Sequence, residues 1–317
     1  MAYKERYNFG AKFEPNGNYI LHGTGQYDLF EQFNSYLSYR DCMREYPPLM
    51  TLAFIGLYND IRYDYFVKII NDHIKSFGAN SFVIPQIGLE FCRGEAPGTN
   101  YEKEIAEGEK DYEIKELFRE LRKIDRPVFL RPGYGFNGEW NGYDAEYYKK
   151  AFVRIKKIMV DVGAENVSLV WSYNPAAEEK EYLKYYPGDD YVDWWGIDIF
   201  QTPEESAPYS YLFLKDAENR KKPVMLSEAT AFRYGATLEG WEKWFKSFFK
   251  YIKDNPVIKA ACYVNWDWTK YAKWSGWGDC RIETNERLLT LYKKEIGNAI
   301  WLSDTDNETV KRVLNYK

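Results

Sequence analysis

The chain has 317 residues, 45% of them hydrophobic and 29% charged, so its composition is that of a globular protein and excludes intrinsic disorder. Its formal net charge of −5 argues against a nucleic-acid partner, because a nucleic-acid-binding protein needs a basic face. No apolar run reaches the roughly 18–20 residues that cross a bilayer, so no membrane partner is expected.

Strand-like and helix-like segments alternate along the chain. The apolar, β-branched or aromatic runs are Tyr19–Gly23, Leu49–Leu57, Ser81–Phe91, Pro127–Arg131, Val167–Tyr173, Val192–Phe200, Pro223–Glu228 and Ile258–Trp266. Amphipathic stretches between them include Arg62–Phe77, Asp111–Ile124, Ala145–Val162 and Leu238–Lys253. Such alternation predicts an α/β protein with a parallel sheet, and eight repeats predict a closed (β/α)8 TIM barrel.

An open doubly wound sheet is the competing architecture. It would need a glycine-rich phosphate turn after its first strand, and His22-Gly-Thr-Gly25 is too short a match to that motif. No linker or low-complexity segment interrupts the pattern, so we expect residues 1–317 to form one barrel domain. The tail, Ile300–Lys317, is expected to be one more helix on the outside of the barrel.

The cysteine and histidine content bears on metal binding and location. Neither the four cysteines nor the two histidines have the number and spacing of a metal site, so no metal and no cofactor are expected. The N-terminus lacks an apolar signal segment. We therefore expect an extracellular or periplasmic protein if a leader has been removed, and a cytoplasmic one otherwise. We also expect a monomer.

In a TIM barrel the chemistry lies at the C-terminal ends of the strands. The fourth run is followed by Arg131-Pro-Gly-Tyr-Gly-Phe-Asn-Gly-Glu-Trp-Asn-Gly-Tyr143, and the seventh ends in a lone carboxylate, Glu228. The side chains expected at this mouth are Arg131, Tyr134, Asn137, Glu139, Trp140, Trp171, Asp198, Glu228, Arg233, Trp266 and Trp268, with Gly135 among them.

Aromatic residues make up 19% of the chain, and many of them follow strands. The flat apolar faces of sugar rings stack on such side chains, so the excess favours a carbohydrate ligand. About half of these mouth aromatics are expected to be core residues instead. Trp274 and Trp277, in a glycine-containing segment, are the better candidates for an exposed stacking platform.

These motifs resemble glycoside hydrolases of clan A, and most closely family 26, whose members include β-mannanases. Arg131-Pro132, Asn137-Gly138 and Trp140 match the family's strand-four segment, Arg-Pro-x-x-Glu-x-Asn-Gly-x-Trp, in register. Ser227-Glu228-Ala229-Thr230 matches its nucleophile strand, and Val192–Asp198 is similar to its sixth strand. The resemblance implies that Glu228 is the nucleophile of a retaining reaction and that Trp266 floors the sugar site beside it.

Two positions depart from the family pattern. Tyr134 stands where the family has His, and Gly135 stands where it has the acid/base Glu. Glycine can neither protonate a leaving oxygen nor activate water. Three explanations are open: a deliberate acid/base substitution, which the intact surrounding segment favours; a natural degenerate enzyme that only binds; or transfer of the proton role to Glu139, which is otherwise a loop residue or a sugar hydrogen-bond partner.

The function that we expect is therefore a retaining, endo-acting glycoside hydrolase on a β-linked oligo- or polysaccharide, impaired by Gly135. A non-catalytic carbohydrate-binding barrel and an exo-acting glycosidase are the alternatives. Arg131 is expected either to keep Glu228 ionised or to form a structural ion pair inside the barrel. Mannan, β-glucan, xylan and galactan all stack on Trp, so the residues do not distinguish among them.

Overall fold

A computed structural model describes residues 2–26, 32–58, 60–94 and 100–316. Its strands are β1 (Ile20–Thr24), β2 (Met50–Gly56), β3 (Ile84–Glu90), β4 (Val128–Pro132), β5 (Val167–Tyr173), β6 (Trp194–Ile199), β7 (Val224–Ala229), β8 (Ile258–Tyr263) and β9 (Trp301–Leu302). Its helices are α1 (Asn34–Cys42), α2 (Tyr63–Lys75), α3 (Glu102–Glu107), α4 (Asp111–Leu121), α5 (Ala145–Val162), α6 (Tyr209–Asn219), α7 (Leu238–Gly240), α8 (Lys246–Asp254), α9 (Glu286–Ile296) and α10 (Asn307–Leu314). A π-helical turn, Trp241–Phe245, joins α7 to α8.

The first eight strands form a closed parallel barrel. Each strand from β2 to β7 pairs with the next, and β1 pairs with both β8 and β2 to complete the ring. The predicted (β/α)8 barrel is confirmed. The prediction for Ile300–Lys317 is corrected in part, because the segment first forms β9 beside the start of β1, and α10 follows it.

Helix α5 shows how the sequence sets these boundaries. The Asp144 carboxylate accepts hydrogen bonds from two backbone N–H groups of the first turn, and Gly163 ends the helix with a left-handed φ of 72°. Tyr148, Phe152 and Ile155 recur at helical spacing and are fully buried against the barrel. The helix therefore begins and ends where its capping residues dictate.

The N-terminal end of the barrel is filled by side chains. Phe129 and Trp194, near the starts of β4 and β6, are fully buried, and Phe13 from the N-terminal segment makes an edge contact with Phe129 at 6.3 Å. The indole N–H of Trp194 donates to the carbonyl of Lys12 at 2.8 Å. A ligand site is therefore to be sought at the opposite end, where the strands end.

Candidate active site

A cavity of about 590 Å³ lies at the C-terminal ends of the strands. Its aromatic lining is Phe54, Tyr134, Trp140, Phe200, Phe232, Trp268, Trp274 and Trp277, and its polar lining is Gln26, Glu90, Asn174, Asp198, Gln201, Glu228 and Lys273. Gly135 and Ala176 complete the wall. An aromatic cavity with a few carboxylates is suited to an uncharged polyhydroxylated ligand, because it offers both apolar faces and hydrogen-bond acceptors.

A buried cation lies beneath the carboxylates of this cavity. Arg131, at the end of β4, is fully buried and donates from Nη2 to Oε1 of Glu228 at 2.8 Å. Its Nη1 lies 3.8 Å from Oδ1 of Asp198, which is the neighbour of Glu228 across β6 and β7. One guanidinium therefore serves two carboxyl groups, and the position of Glu228 is set by an ion pair that is shielded from water.

The two carboxyl groups differ in their surroundings. Burial raises the pKa of Asp198 well above its usual value, the charge of Glu228 raises it further, and Arg131 opposes both effects. Burial by itself would lower the pKa of Arg131, but the charges of Glu228 and Asp198 raise it overall. Burial thus favours the protonated form of Asp198, while Glu228 is the member of the pair with the direct guanidinium bond.

Gly135 lines the same cavity as Glu228, in a tight turn after β4. Its N–H donates to the Ser172 carbonyl at 3.0 Å, and its own carbonyl accepts from the Gly138 N–H and the Asn141 amide, both at 2.9 Å. Its φ is +60°, the left-handed region that favours glycine. A Cβ added here would meet nothing nearer than Asn141 and Trp140 at 3.6 Å. Space for a side chain exists, but the backbone conformation disfavours one.

Tyr134 connects the two sides of the cavity. Its ring lies 4.9 Å from the guanidinium carbon of Arg131, and its hydroxyl donates to Oε1 of Glu90 at 3.0 Å. Burial raises the pKa of Tyr134 well above its usual value, and the charges of Glu90 and Glu228 raise it further. Tyr134 is thus a neutral hydrogen-bond donor to Glu90 that also lies against Arg131, the partner of Glu228.

Six of the predicted site residues line the cavity, and six do not. The lining residues are Tyr134, Gly135, Trp140, Asp198, Glu228 and Trp268, and the others are Arg131, Asn137, Glu139, Trp171, Arg233 and Trp266. Trp268, Trp274 and Trp277 form one wall of the cavity: the ring centroid of Trp268 lies 6.0 Å from that of Trp274 and 4.8 Å from that of Trp277. Trp274 is 37% exposed. The segment expected to offer a stacking platform therefore contributes to the cavity itself.

The placement of Trp171 as a sugar-contacting residue is corrected. Its side chain is 0% exposed and lies in an aromatic cluster with Phe136, stacked at 4.5 Å, and Trp195 at 4.8 Å. Asn137 is likewise buried and structural: its amide donates to the carbonyl of Asn174 at 2.8 Å and its oxygen accepts the N–H of Asn174 at 3.0 Å. Asn137 thus does not line the cavity itself, but its two hydrogen bonds hold the backbone of Asn174, which does.

Three further predicted residues lie away from the cavity wall. Trp266 is buried and stacks on Tyr271 with 5.8 Å between ring centroids, so it packs inside the loop that follows β8 and does not face the cavity. Arg233 is exposed and lies over the ring of Phe232 at 4.5 Å. Glu139 is exposed on its turn and does not line the cavity. The geometry gives no support to a transfer of the proton role to Glu139.

Glu90 is the carboxylate that the sequence analysis missed. It ends β3 as Glu228 nearly ends β7, each a lone acid at the tip of an apolar strand, so the same rule would have found it. Gln26, Phe54 and Lys273 carried no comparable signal, because they lie within or after runs that predict only structure.

Within the described ranges, no group of three or more His, Cys, Asp and Glu residues could hold a metal ion. Among the same residues, no helix is long and apolar enough to span a bilayer.

Comparison with known proteins finds similarity to the same family. The model of glycosyl hydrolase family 26 matches residues 95–238, a stretch that contains both Gly135 and Glu228. A β-1,3-xylanase, TXYA, of a Vibrio species is 28% identical over 232 residues, which cover 64% of this chain and 50% of that protein. A mannan endo-1,4-β-mannosidase of Bacillus subtilis is 28% identical over 174 residues, covering 46% of this chain and 47% of that protein.

A solved structure supports the fold. The Bacillus subtilis mannanase BCman superposes with a TM-score of 0.63 at 21% identity, covering 93% of this chain and 90% of that one. The chain spans about half the length of the curated relatives it matches. In its strand-four and strand-seven motifs, in its barrel and in these comparisons, the chain resembles the glycoside hydrolases of family 26.

Proposed function

We propose that this chain is a retaining glycoside hydrolase on a β-linked polysaccharide, with Glu228 as its nucleophile. One observation carries the proposal: Glu228 lies at the tip of β7, in an aromatic cavity, and accepts a hydrogen bond from the buried Arg131 at 2.8 Å. The guanidinium stabilises the carboxylate form, which is the form that attacks. The aromatic walls supply the apolar faces on which sugar rings stack.

The first chemical step follows from this geometry. A carboxylate oxygen of Glu228 attacks the anomeric carbon, the glycosidic C–O bond breaks, and a glycosyl-enzyme forms. The departing oxygen needs a proton when it belongs to another sugar. Gly135 has no group to supply one, so we propose that this chain cleaves unactivated glycosidic bonds slowly and activated ones readily.

The relatives support a class of substrate. The curated relatives are named for β-1,3-xylan and for endo-acting cleavage of β-1,4-mannan. Both are β-linked chains of neutral pyranoses, and a cavity with eight aromatic side chains is compatible with either. We propose endo-acting cleavage of a chain of this class.

Gly135 also favours a second candidate, a carbohydrate-binding barrel without catalysis. The left-handed backbone at this position fits glycine, which is the observation expected if the acid/base role has been lost altogether. An exo-acting glycosidase is the other alternative, and it would release only terminal sugars.

The test is covalent labelling of Glu228. The protein is incubated with 2,4-dinitrophenyl 2-deoxy-2-fluoro-β-glycosides of xylobiose, mannobiose and cellobiose, whose leaving group needs no proton. Intact-mass spectrometry should show addition of one glycosyl unit with at least one sugar, peptide mapping should place it on Glu228, and Glu228→Gln should show none. Binding of the matching oligosaccharides without any labelling would identify a binding barrel. Product lengths from β-1,3-xylan and β-1,4-mannan separate endo from exo cleavage.

A further inference from the structure

Glu90 is a cavity carboxylate that the proposed reaction has not yet used. It lines the same cavity as Glu228 and Gly135, and its two oxygens are held by different phenols. Tyr134 donates to Oε1 at 3.0 Å, and Tyr58 lies 2.5 Å from Oε2. A carboxylate offers about four lone-pair sites, so each oxygen of Glu90 keeps one acceptor position in addition to its phenol.

Both phenols remain donors at ordinary pH. Burial raises the pKa of Tyr58, and its hydrogen bond to Glu90 raises it further. Burial and the charges of Glu90 and Glu228 do the same to Tyr134. Because neither phenol gives up its proton, both hydrogen bonds run from tyrosine to Glu90, which accepts one on each oxygen. An ionised carboxylate can accept a proton from water, whereas it has none to give to a leaving sugar.

The backbone of β3 is adapted to this arrangement. A Cβ on Gly88 would lie 2.8 Å from the Tyr134 ring and 2.6 Å from the Phe54 ring, so only glycine allows Tyr134 to cross β3 and reach Glu90. The same Tyr134 ring lies against Arg131, which holds Glu228. Glu90 and Glu228 are thus the ends of one connected set of side chains around the cavity.

We propose that Glu90 is the general base of the second half-reaction, the hydrolysis of the glycosyl-enzyme. The inference rests on the proposed function, since it needs a glycosyl group on Glu228. Glu90 accepts a proton from water as the water oxygen bonds to the anomeric carbon. The bond between that carbon and Glu228 breaks, and its electron pair returns to the Glu228 carboxylate. The proton on Glu90 then passes to solvent. No oxidant, metal or other reactant is required.

This division of labour fits the rest of the cavity. Gly135 leaves the first step without an acid, while Glu90 supplies the second step with a base. Glu139 is exposed and outside the cavity wall, so it serves as a matched control carboxylate. A chain built this way turns over substrates with good leaving groups without accumulating the covalent intermediate.

The experiment uses rapid mixing with the unfluorinated 2,4-dinitrophenyl β-glycoside of the sugar that labels Glu228 most readily. Glu90→Gln should show a dinitrophenol burst of one per enzyme, then turnover slowed by about 10²–10⁴-fold, the range contributed by general base catalysis. Intact mass should find the glycosyl-enzyme accumulated. Azide, which needs no deprotonation, should accelerate Glu90→Gln and yield a β-glycosyl azide. The unchanged chain and Glu139→Gln should show neither the burst nor azide acceleration.

Two results would overturn the inference. One is a burst and azide rescue in the unchanged chain, which would mean that the second step has no base at all. The other is Glu90→Gln turnover equal to that of the unchanged chain. If Glu228 is labelled in none of the variants, it is the proposed function that fails, not the assignment of Glu90.

Tyr58→Phe provides a second measurement if Glu90→Gln does not fold. Loss of one donor to the ionised carboxylate makes Glu90 easier to protonate, so the acidic limb of turnover should shift to higher pH. A Tyr58→Phe profile that superposes on that of the unchanged chain would contradict the assignment. A purely structural hydrogen bond would change thermal stability and leave the limb in place.

Discussion

Replacing Gly135 by Glu should restore turnover on polysaccharide and destabilise the fold. The new carboxyl would enter the cavity that contains Glu228, and a retaining pair requires carboxyls about 5–5.5 Å apart. General acid catalysis contributes about 10²–10⁴-fold, so kcat/KM on the cognate polysaccharide should rise by about two orders of magnitude or more. The rise should be far smaller on a dinitrophenyl glycoside, whose leaving group needs no proton.

The cost in stability follows from the backbone. A residue with a Cβ at φ +60° pays about 1–2 kcal/mol for the left-handed conformation. The nearest contacts of that Cβ, at 3.6 Å, are ordinary, so no steric term is added. The free energy of unfolding should therefore fall by about 1–2 kcal/mol in urea titrations.

Two control variants separate these effects. Gly135→Ala should show the same loss of stability without the gain in rate, and Gly135→Gln should add side-chain volume without an acid. Equal rates for Gly135→Glu and Gly135→Gln would refute the argument that position 135 lacks only a carboxyl group. An unchanged free energy of unfolding in Gly135→Ala would refute the strain argument.

Three other perturbations test the site and its support. Arg131→Met leaves two buried carboxyls without their cation, and should lower the free energy of unfolding by about 3–5 kcal/mol in urea titrations. Trp268→Ala should weaken oligosaccharide binding by about 0.5–1.5 kcal/mol in calorimetry, whereas Trp171→Ala should cost about 3–5 kcal/mol of stability through a core cavity. Burial lowers the pKa of His22 and His73 to about 3, against about 6.5 in the unfolded chain. As the pH falls from 7 to 5 the unfolded chain takes up protons at these positions, so each histidine should lower the free energy of unfolding by roughly 2 kcal/mol. His22→Gln should remove about half of that pH dependence.

The barrel could be predicted because its signals are local. Apolar strands and amphipathic helices alternate in the sequence, and each strand run anticipated the observed strand to within a few residues. Strand β9 was missed because two residues, Trp301 and Leu302, pair with β1 and carry no periodicity of their own. The strand-tip rule placed Gly135, Asp198 and Glu228 at one cavity for the same reason: the ends of parallel strands meet at one face.

Which aromatic side chains face the cavity could not be predicted in the same way. Trp171 lies near the end of β5 and Trp268 follows β8, yet Trp171 is enclosed by the rings of Phe136 and Trp195, whereas Trp268 contacts the loop that carries Trp274. The difference depends on which neighbouring segment folds over each ring, a long-range property. Burial of the side chain, and not its position after a strand, decides whether a sugar can reach it.

Position 135 shows why a motif should be judged together with the residues around its cavity. Taken alone, glycine at an acid/base position implies a loss of both proton transfers, because one residue performs both in a retaining pair. On the proposed scheme the two roles separate: position 135 offers no acid, but Glu90, at the end of the neighbouring strand β3, accepts hydrogen bonds from two phenols, Tyr58 after β2 and Tyr134 after β4. Gly88 and Tyr134 make that contact possible, since a side chain at position 88 would exclude the ring. A substitution at one strand tip can therefore remove one half of a reaction while the geometry of the next strand retains the other.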